Sequence, residues 1–275
     1  MFLPSKAFVD EITEIKSDSI SSAVTLTSKL FKAIRKEITE TDDLHKDLPW
    51  MVVAVKLAHP EMAAIGKIGE ELSNELKAGH FDKQIISQML DDLENIVNKS
   101  EQLTVNELSS ELLNFRKIMT ISYSSTIFKA LMRNPPEDRE IIVLESRPLF
   151  EGQKMAEDLA EANYQVKLIA DAAAGYYSSD IEAIFVGADT IFPENSIINK
   201  VGSLPLALIA QQMDIPFIVG ASNNKRTTIS EDDFTKLIEE KPYYEIYDRN
   251  IKNLQIGNIY FDFIPAALIT KLISE

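Results

Sequence analysis

The stretch from Glu140 to Asp171, EIIVLESRPLFEGQKMAEDLAEANYQVKLIAD, decides the reading of the fold. A short β-rich run, EIIVLES, is followed by GQKMAEDLAEANY, whose apolar residues recur at helical spacing, and then by a second β-rich run, QVKLIAD. Downstream the alternation continues: AIFVGAD (183–189) reads as a strand, SLPLALIAQQMD (203–214) as a helix and IPFIVGAS (215–222) as a strand. Strands separated by helices imply a mainly parallel sheet covered by helices, a Rossmann-like α/β domain. NIYFDFI (258–264) reads as a last strand and PAALITKLISE (265–275) as a short closing helix.

Upstream the texture is helical. Ile20, Val24, Phe31, Ile34 and Ile38 form one apolar stripe, with Ser17 and Asp18 as caps, and Ile85, Ile86, Met89, Leu93, Ile96 and Val97 form another. Both stripes are expected in a core. HPEMAAIGKIGEELSNELKAG reads as a helix starting near Pro60 and stopping at Gly79, and a further helix follows Thr104. Pro135 and Pro136, among charged residues, mark a boundary beyond which strands begin. The expected organisation is a helical N-terminal domain, 1–134, and a Rossmann-like α/β domain, 135–275.

With 45% hydrophobic residues, 275 residues can bury a substantial core. The 28 basic and 43 acidic residues leave a net charge of −15, which opposes non-specific attraction to nucleic acid or anionic lipid. There is no cysteine, so disulfides, thiolate metal sites and a cysteine nucleophile are excluded. The first twenty residues lack the apolar core of a signal peptide, and no apolar run approaches the roughly 20 residues that span a bilayer. The chain is expected to be cytoplasmic. Only 9 glycines occur, with no G-x-G-x-x-G or P-loop pattern, so the usual backbone cradles for dinucleotides and nucleoside triphosphates are missing and no cofactor is expected; without cysteine or spaced histidines no metal is expected either.

In open parallel sheets, ligands gather outside the carboxyl ends of the strands. The residues that follow the expected strands are Glu145, Ser146, Arg147 and Pro148, then Asp171, then Asp189, then Ser222, Asn223, Asn224 and Lys225; Asn199 and Lys200 lead into a helix. An arginine and a lysine near a helix N-terminus suit a phosphate, and a strand-end aspartate can exchange protons with a sugar. Each has a plainer reading, as a loop cap, an exposed lysine or a structural ion pair. In IMTISYSSTIFKAL (118–131), Ser124 or Ser125 is placed to cap a helix. Ser122 can bind but is handicapped as a nucleophile, because a hydroxyl needs an adjacent base. His45, His59 and His80 lack metal-ligand spacing and read as surface or cap residues.

Three segments carry a family resemblance: ESRPLFEGQKMAEDL, VGADTIFPENSIINKVGSLPLALIA and FDFIPAALIT. Together they resemble the initiation factor 2B superfamily. That group joins the regulatory alpha, beta and delta subunits of the eukaryotic nucleotide-exchange factor with methylthioribose-1-phosphate and ribose-1,5-bisphosphate isomerases. The resemblance spans roughly residues 115 to 275. It implies a helical N-terminal domain, a Rossmann-like C-terminal domain and dimerisation through the latter. In the isomerases a T-H-C-like cysteine and the aspartate of GAD form the catalytic pair; here Asp189 matches the aspartate, while Ser122 stands for the cysteine and Ile121 for the histidine. The Arg-Gly-Ala phosphate loop of the isomerases has only VAVKLAHPEMAAIG in its place. Arg147, Asn199 and Lys200 match pocket positions of the family, with Ser124 and Ser125 beside them as ligand-binding candidates.

The resemblance therefore implies a non-catalytic regulatory subunit, forming a homodimer or higher oligomer. It would bind the alpha subunit of translation initiation factor 2, with its pocket sensing a sugar phosphate or nucleotide. The alternative is an aldose-ketose isomerase acting on ribose 1,5-bisphosphate or a related phosphosugar, with Asp189 and Ser122 as its catalytic residues. Direct nucleic-acid and membrane contacts are not expected.

Overall fold

A computed structural model describes residues 4–18, 21–133, 138–231 and 239–275. The chain divides into two compact units, one of residues 1–100 with 223–225, the other of residues 101–222 with 226–275. The boundary expected at Pro135 and Pro136 falls on residues outside the described ones, as does Ile20. No described helix is long and apolar enough to cross a membrane.

The first unit is helical. It contains α1 (Lys6–Ser17), α2 (Ala23–Glu40), α3 (Leu44–Lys56), α4 (Ala63–Ala78) and the first part of α5 (Lys83–Leu112). Phe8, Leu26, Leu30, Phe31, Ile34, Leu48, Met51, Ile65 and Leu72 are among its buried core residues. α2 begins one turn later than the sequence suggests: Ser22 caps it, accepting from the Thr25 amide, whereas Ser17 lies in α1 and Asp18 ends it. α4 stops at Gly79, whose left-handed φ of 74° is the conformation glycine adopts most readily.

The two helices expected around Ile85 and after Thr104 are one, the 30-residue α5. Its buried stripe includes Ile86 and Leu90, while Ile85 and Ile96 are exposed, Ile96 at 64%. The stripe Ile85, Ile86, Met89, Leu93, Ile96 and Val97 follows a helical period but leaves out the fully buried Leu90, and one face can be covered without its flanks. His59 is also not at the surface. It is buried, with one ring nitrogen 2.8 Å from the Ile15 carbonyl oxygen and the other 3.3 Å from Glu61 Oε1.

The second unit is a doubly wound sheet. Its elements are β1 (Lys117–Ile121), α6 (Ser125–Arg133), β2 (Glu140–Leu144), α7 (Glu151–Glu161), β3 (Gln165–Ile169), β4 (Ala183–Val186), β5 (Thr190–Ile191), β6 (Ile197–Lys200), α8 (Ser203–Met213), β7 (Phe217–Gly220), β8 (Phe261–Ile264) and β9 (Lys271–Ile273). Six strands form a parallel sheet in the order β3-β2-β1-β4-β7-β9. β5, β6 and β8 form a separate antiparallel sheet.

Successive side chains of each central strand enter opposite cores. Met119, Ile121, Ile142, Leu144, Ile184 and Val186 pack with Leu206, Ala207 and Ala210 of α8. Ile118, Ile141, Val143, Ala183 and Phe185 pack with Leu108 of α5, Ile127 of α6 and Met155 of α7. Strands buried on both faces read as continuous apolar runs, which is why EIIVL and AIFV stand out in the sequence.

Two expectations are corrected here. Strands begin before the prolines: KIMTI is β1, which pairs with β2 and β4 in the middle of the sheet. The closing segment is not a helix. After a short turn at Ala266–Leu268, KLI forms β9 and pairs in parallel with β7.

Arg139 ties the end of α5 to the start of β2. Its guanidinium is buried, and it donates to the carbonyl oxygens of Leu112 (2.6 Å), which also accepts from the Phe115 amide, and of Phe115 (3.1 Å), just past the helix end. Arg139→Met is expected to lower stability by about 2 kcal/mol, because two carbonyls lose a charged donor in a buried setting. Urea unfolding of the purified variant measures this; a midpoint equal to that of the wild type would refute it.

Candidate functional site

The strand order reverses between β1 and β4: the chain runs outward from β1 through β2 to β3, then returns to β4 on the other side of β1. At such a switch point the loops leaving the carboxyl ends of two neighbouring strands part and leave a crevice. Ser122 follows β1, and Gly187, Ala188 and Asp189 follow β4. Ser122 and Asp189 are both half-buried.

The loop after β1 is tightly held. Ser122 has a left-handed φ of 63° and its amide donates to Ser146 Oγ at 2.7 Å, while Ser146 Oγ donates to the Leu144 carbonyl at 2.9 Å. No hydrogen-bond partner of the Ser122 hydroxyl is found among the described residues. Ser124 caps α6, its Oγ accepting from the Ile127 amide at 3.3 Å; Ser125 is the first residue of that helix. Gly187 has a spatial reason to be glycine, since a Cβ there would lie 2.7 Å from Ser124 Oγ and 3.9 Å from Asn199 Oδ1.

A hairpin explains why Asn199 and Lys200 follow Asp189 by about ten residues. β5 and β6 are antiparallel, with Thr190 opposite Ile198, and the Asp189 amide donates to the Ile198 carbonyl at 2.8 Å. The chain therefore turns at Phe192–Ser196 and carries Asn199 back beside Asp189. Asn199 is buried and its Nδ2 donates to Ser203 Oγ at 2.8 Å.

Lys200 is not an exposed helix-start lysine. Its Nζ lies 2.7 Å from Glu151 Oε1 and 5.3 Å from the Tyr260 ring centroid, and both members of the ion pair are buried. Burial pushes the Glu151 carboxyl above its ordinary range, and the charge and hydrogen bond of Lys200 pull it back. Glu151 is the first residue of α7, where a carboxylate is favoured by the helix dipole. Glu151 was not read from the sequence as part of the site; its signal was an acidic residue opening a helix directly after a strand-end loop.

Asp171, after β3, accepts from the amides of Ser146 and Arg147, each at 2.7 Å. The Arg147–Pro148 peptide is cis. Arg147 itself is exposed, with its guanidinium over the Phe150 ring at 4.8 Å. Asn223 and Lys225 group with the first unit, where the Asn223 amide donates to Ser100 Oγ and its carbonyl accepts from Lys67. The structure thus gathers Ser122, Ser124, Ser146, Asp171, Glu151, Asp189, Asn199 and Lys200 along the strand ends of the second unit. Among the described residues no cluster of three or more acidic or histidine side chains is suited to a metal ion.

Fold and site together define a class: a doubly wound α/β unit with polar side chains gathered at the strand ends of its switch point, joined in one chain to a helical unit. The chain belongs to the Initiation factor 2 subunit family, whose model matches residues 16–275. It is 25% identical to an eIF-2B subunit 2-like protein of Pyrococcus furiosus over 99% of this chain and 96% of that one. It is 35% identical to ribose 1,5-bisphosphate isomerase of Archaeoglobus fulgidus over 50% of this chain and 44% of that enzyme. The latter alignment thus spans less than half of the enzyme's length. A crystal structure of translation initiation factor eIF-2B from Pyrococcus horikoshii OT3 shares the fold, with a TM-score of 0.85 at 22% identity over 98% of this chain and 95% of that one.

Proposed function

We propose that this chain is a non-catalytic, initiation factor 2B-like regulatory subunit that binds the alpha subunit of translation initiation factor 2. In this reading it assembles as a homodimer or higher oligomer, and the switch-point crevice is a ligand pocket that carries out no reaction. The observation that carries the reading is the Ser122 hydroxyl, to which no base is bonded among the described residues, at the position that the resemblance matches to the isomerases' cysteine. A serine hydroxyl without a partner base stays protonated near neutral pH and neither attacks nor relays a proton efficiently.

The second reading is an aldose-ketose isomerase acting on ribose 1,5-bisphosphate or a related phosphosugar. Asp189, beside Gly187 at the end of β4, is the residue that favours it, as the strand-end carboxylate at the switch point. One experiment separates the two. Phosphorus NMR of the purified chain with ribose 1,5-bisphosphate is expected to show no new ketose signal over hours. A ketose bisphosphate that forms with the wild type and not with Asp189→Asn would establish the isomerase. Sedimentation with the alpha subunit of initiation factor 2 is expected to show a complex, and its absence would remove that partner.

A further inference from the structure

The strand edge that the sequence marks as a place for phosphate already holds anions of the protein's own. Asp171 takes the amides of Ser146 and Arg147. Asp262 Oδ2 takes the amides of Gly202 (2.8 Å) and Leu204 (3.0 Å) where α8 begins. Glu151 takes the ammonium of Lys200. Strand-end amides, a helix start and a lysine are the donors with which an α/β edge ordinarily holds a phosphate. Here each set is satisfied by an internal carboxylate.

The Lys200 pair is the most consequential of the three. Glu151 and Lys200 are 8% and 5% exposed, and Glu151 Oε2 is buried with no hydrogen-bond partner. A phosphate brought to Lys200 would meet an uncompensated carboxylate oxygen, with Asp171 adding to the negative field. Two anions sharing one cation in a poorly solvated place repel strongly. The sidedness of the chemistry matters too, because Arg147, the other cation expected in the pocket, is exposed and stacked on Phe150.

We propose that Glu151 is a built-in counter-anion that closes the Lys200 position to phosphate, so that this pocket refuses sugar phosphates and nucleotides. Glu151 is thereby a specificity-determining residue, and its charge is what separates this site from a phosphosugar pocket. The inference deepens the ligand-pocket reading given above and rests on it.

Isothermal titration calorimetry of the full chain with ribose 5-phosphate at low salt tests it, on the wild type, Glu151→Gln and the double variant Glu151→Gln/Lys200→Gln. Glutamine keeps an oxygen for the Lys200 ammonium while removing the charge. Glu151→Gln is expected to bind at least about tenfold more tightly than the wild type, and the double variant to lose that gain. Equal affinity of the wild type and Glu151→Gln, or a gain that survives the loss of Lys200, overturns the proposal. Should Glu151→Gln not fold, the wild type alone decides: saturable binding of ribose 5-phosphate that inorganic phosphate displaces overturns it, and no saturable binding upholds it. Conversion of the sugar in the same samples would strike instead at the non-catalytic reading and leave the Glu151 comparison standing.

Discussion

Lys200→Met is expected to cost about 3–5 kcal/mol of stability at neutral pH, because it leaves the Glu151 carboxylate buried without its cation. The pair is short, at 2.7 Å, and both side chains are more than nine-tenths covered. The cost has a pH signature. Burial raises the Glu151 carboxyl above its ordinary value of about 4.5, and the influence of Lys200 is what holds it down. Without Lys200, burial acts almost alone, and the folded variant binds a proton more readily than the unfolded chain does.

A carboxyl raised in the folded state costs no stability below its unfolded pKa and becomes a burden as the pH rises through its folded one. The deficit of Lys200→Met relative to the wild type should therefore be largest at neutral pH and shrink as the pH is lowered towards the unfolded value. Adding Glu151→Gln to Lys200→Met should restore most of the loss at pH 7. Thermal melts of the wild type, the single and the double variant across this range give the answer. A deficit that does not change with pH would show that lost packing of the lysine stem, and not stranded charge, is the cause.

Gly152→Ala is expected to be comparably damaging, at about 3 kcal/mol or more. A Cβ built on Gly152 falls 1.8 Å from the Leu144 carbonyl oxygen, 2.9 Å from its carbon and 2.7 Å from Ser146 Oγ. The first turn of α7 thus lies against the end of β2, and only the absence of a side chain permits that approach. Overpacking commonly costs about 1–3 kcal/mol when side chains can yield, but here the obstacle is backbone. β2 is hydrogen-bonded to strands on both sides and cannot retreat cheaply.

The consequence reaches the crevice. Any shift of Leu144 and Ser146 disturbs the acceptor of the Ser122 amide and the amides held by Asp171. Hydrogen exchange should therefore show faster exchange of the Ser122 and Ser146 amides in Gly152→Ala than in the wild type, beyond the global loss seen in urea. Unchanged protection at both positions would contradict this coupling.

The sequence alone, through the apolar runs EIIVL, AIFV and FIVG and the helical periods between them, determined that the second half of the chain is a parallel α/β layer structure. It also placed Asp189 after a strand, because strand-helix alternation by itself puts the loops after strands on one edge, whereas Asn199 and Lys200, read as leading into a helix, lie in β6. Periodicity is a local property, and these segments carry enough of it to be read in isolation. KIMTI and KLI do not: lysine and threonine break the apolar run of the first and the second is only three residues long, and they are strands because β2, β4 and β7 offer them backbone partners.

Tertiary structure decided the chemistry of the crevice. Lys200 is an ion-pair partner because Glu151, 49 positions away, is folded against it, and Ser122 is held by Ser146, 24 positions away. Such pairings depend on how β1, β2 and β6 converge. The side chains involved have no mutual signature along the chain, since an electrostatic contact is set by distance in space and burial, and neither exists until the sheet has formed.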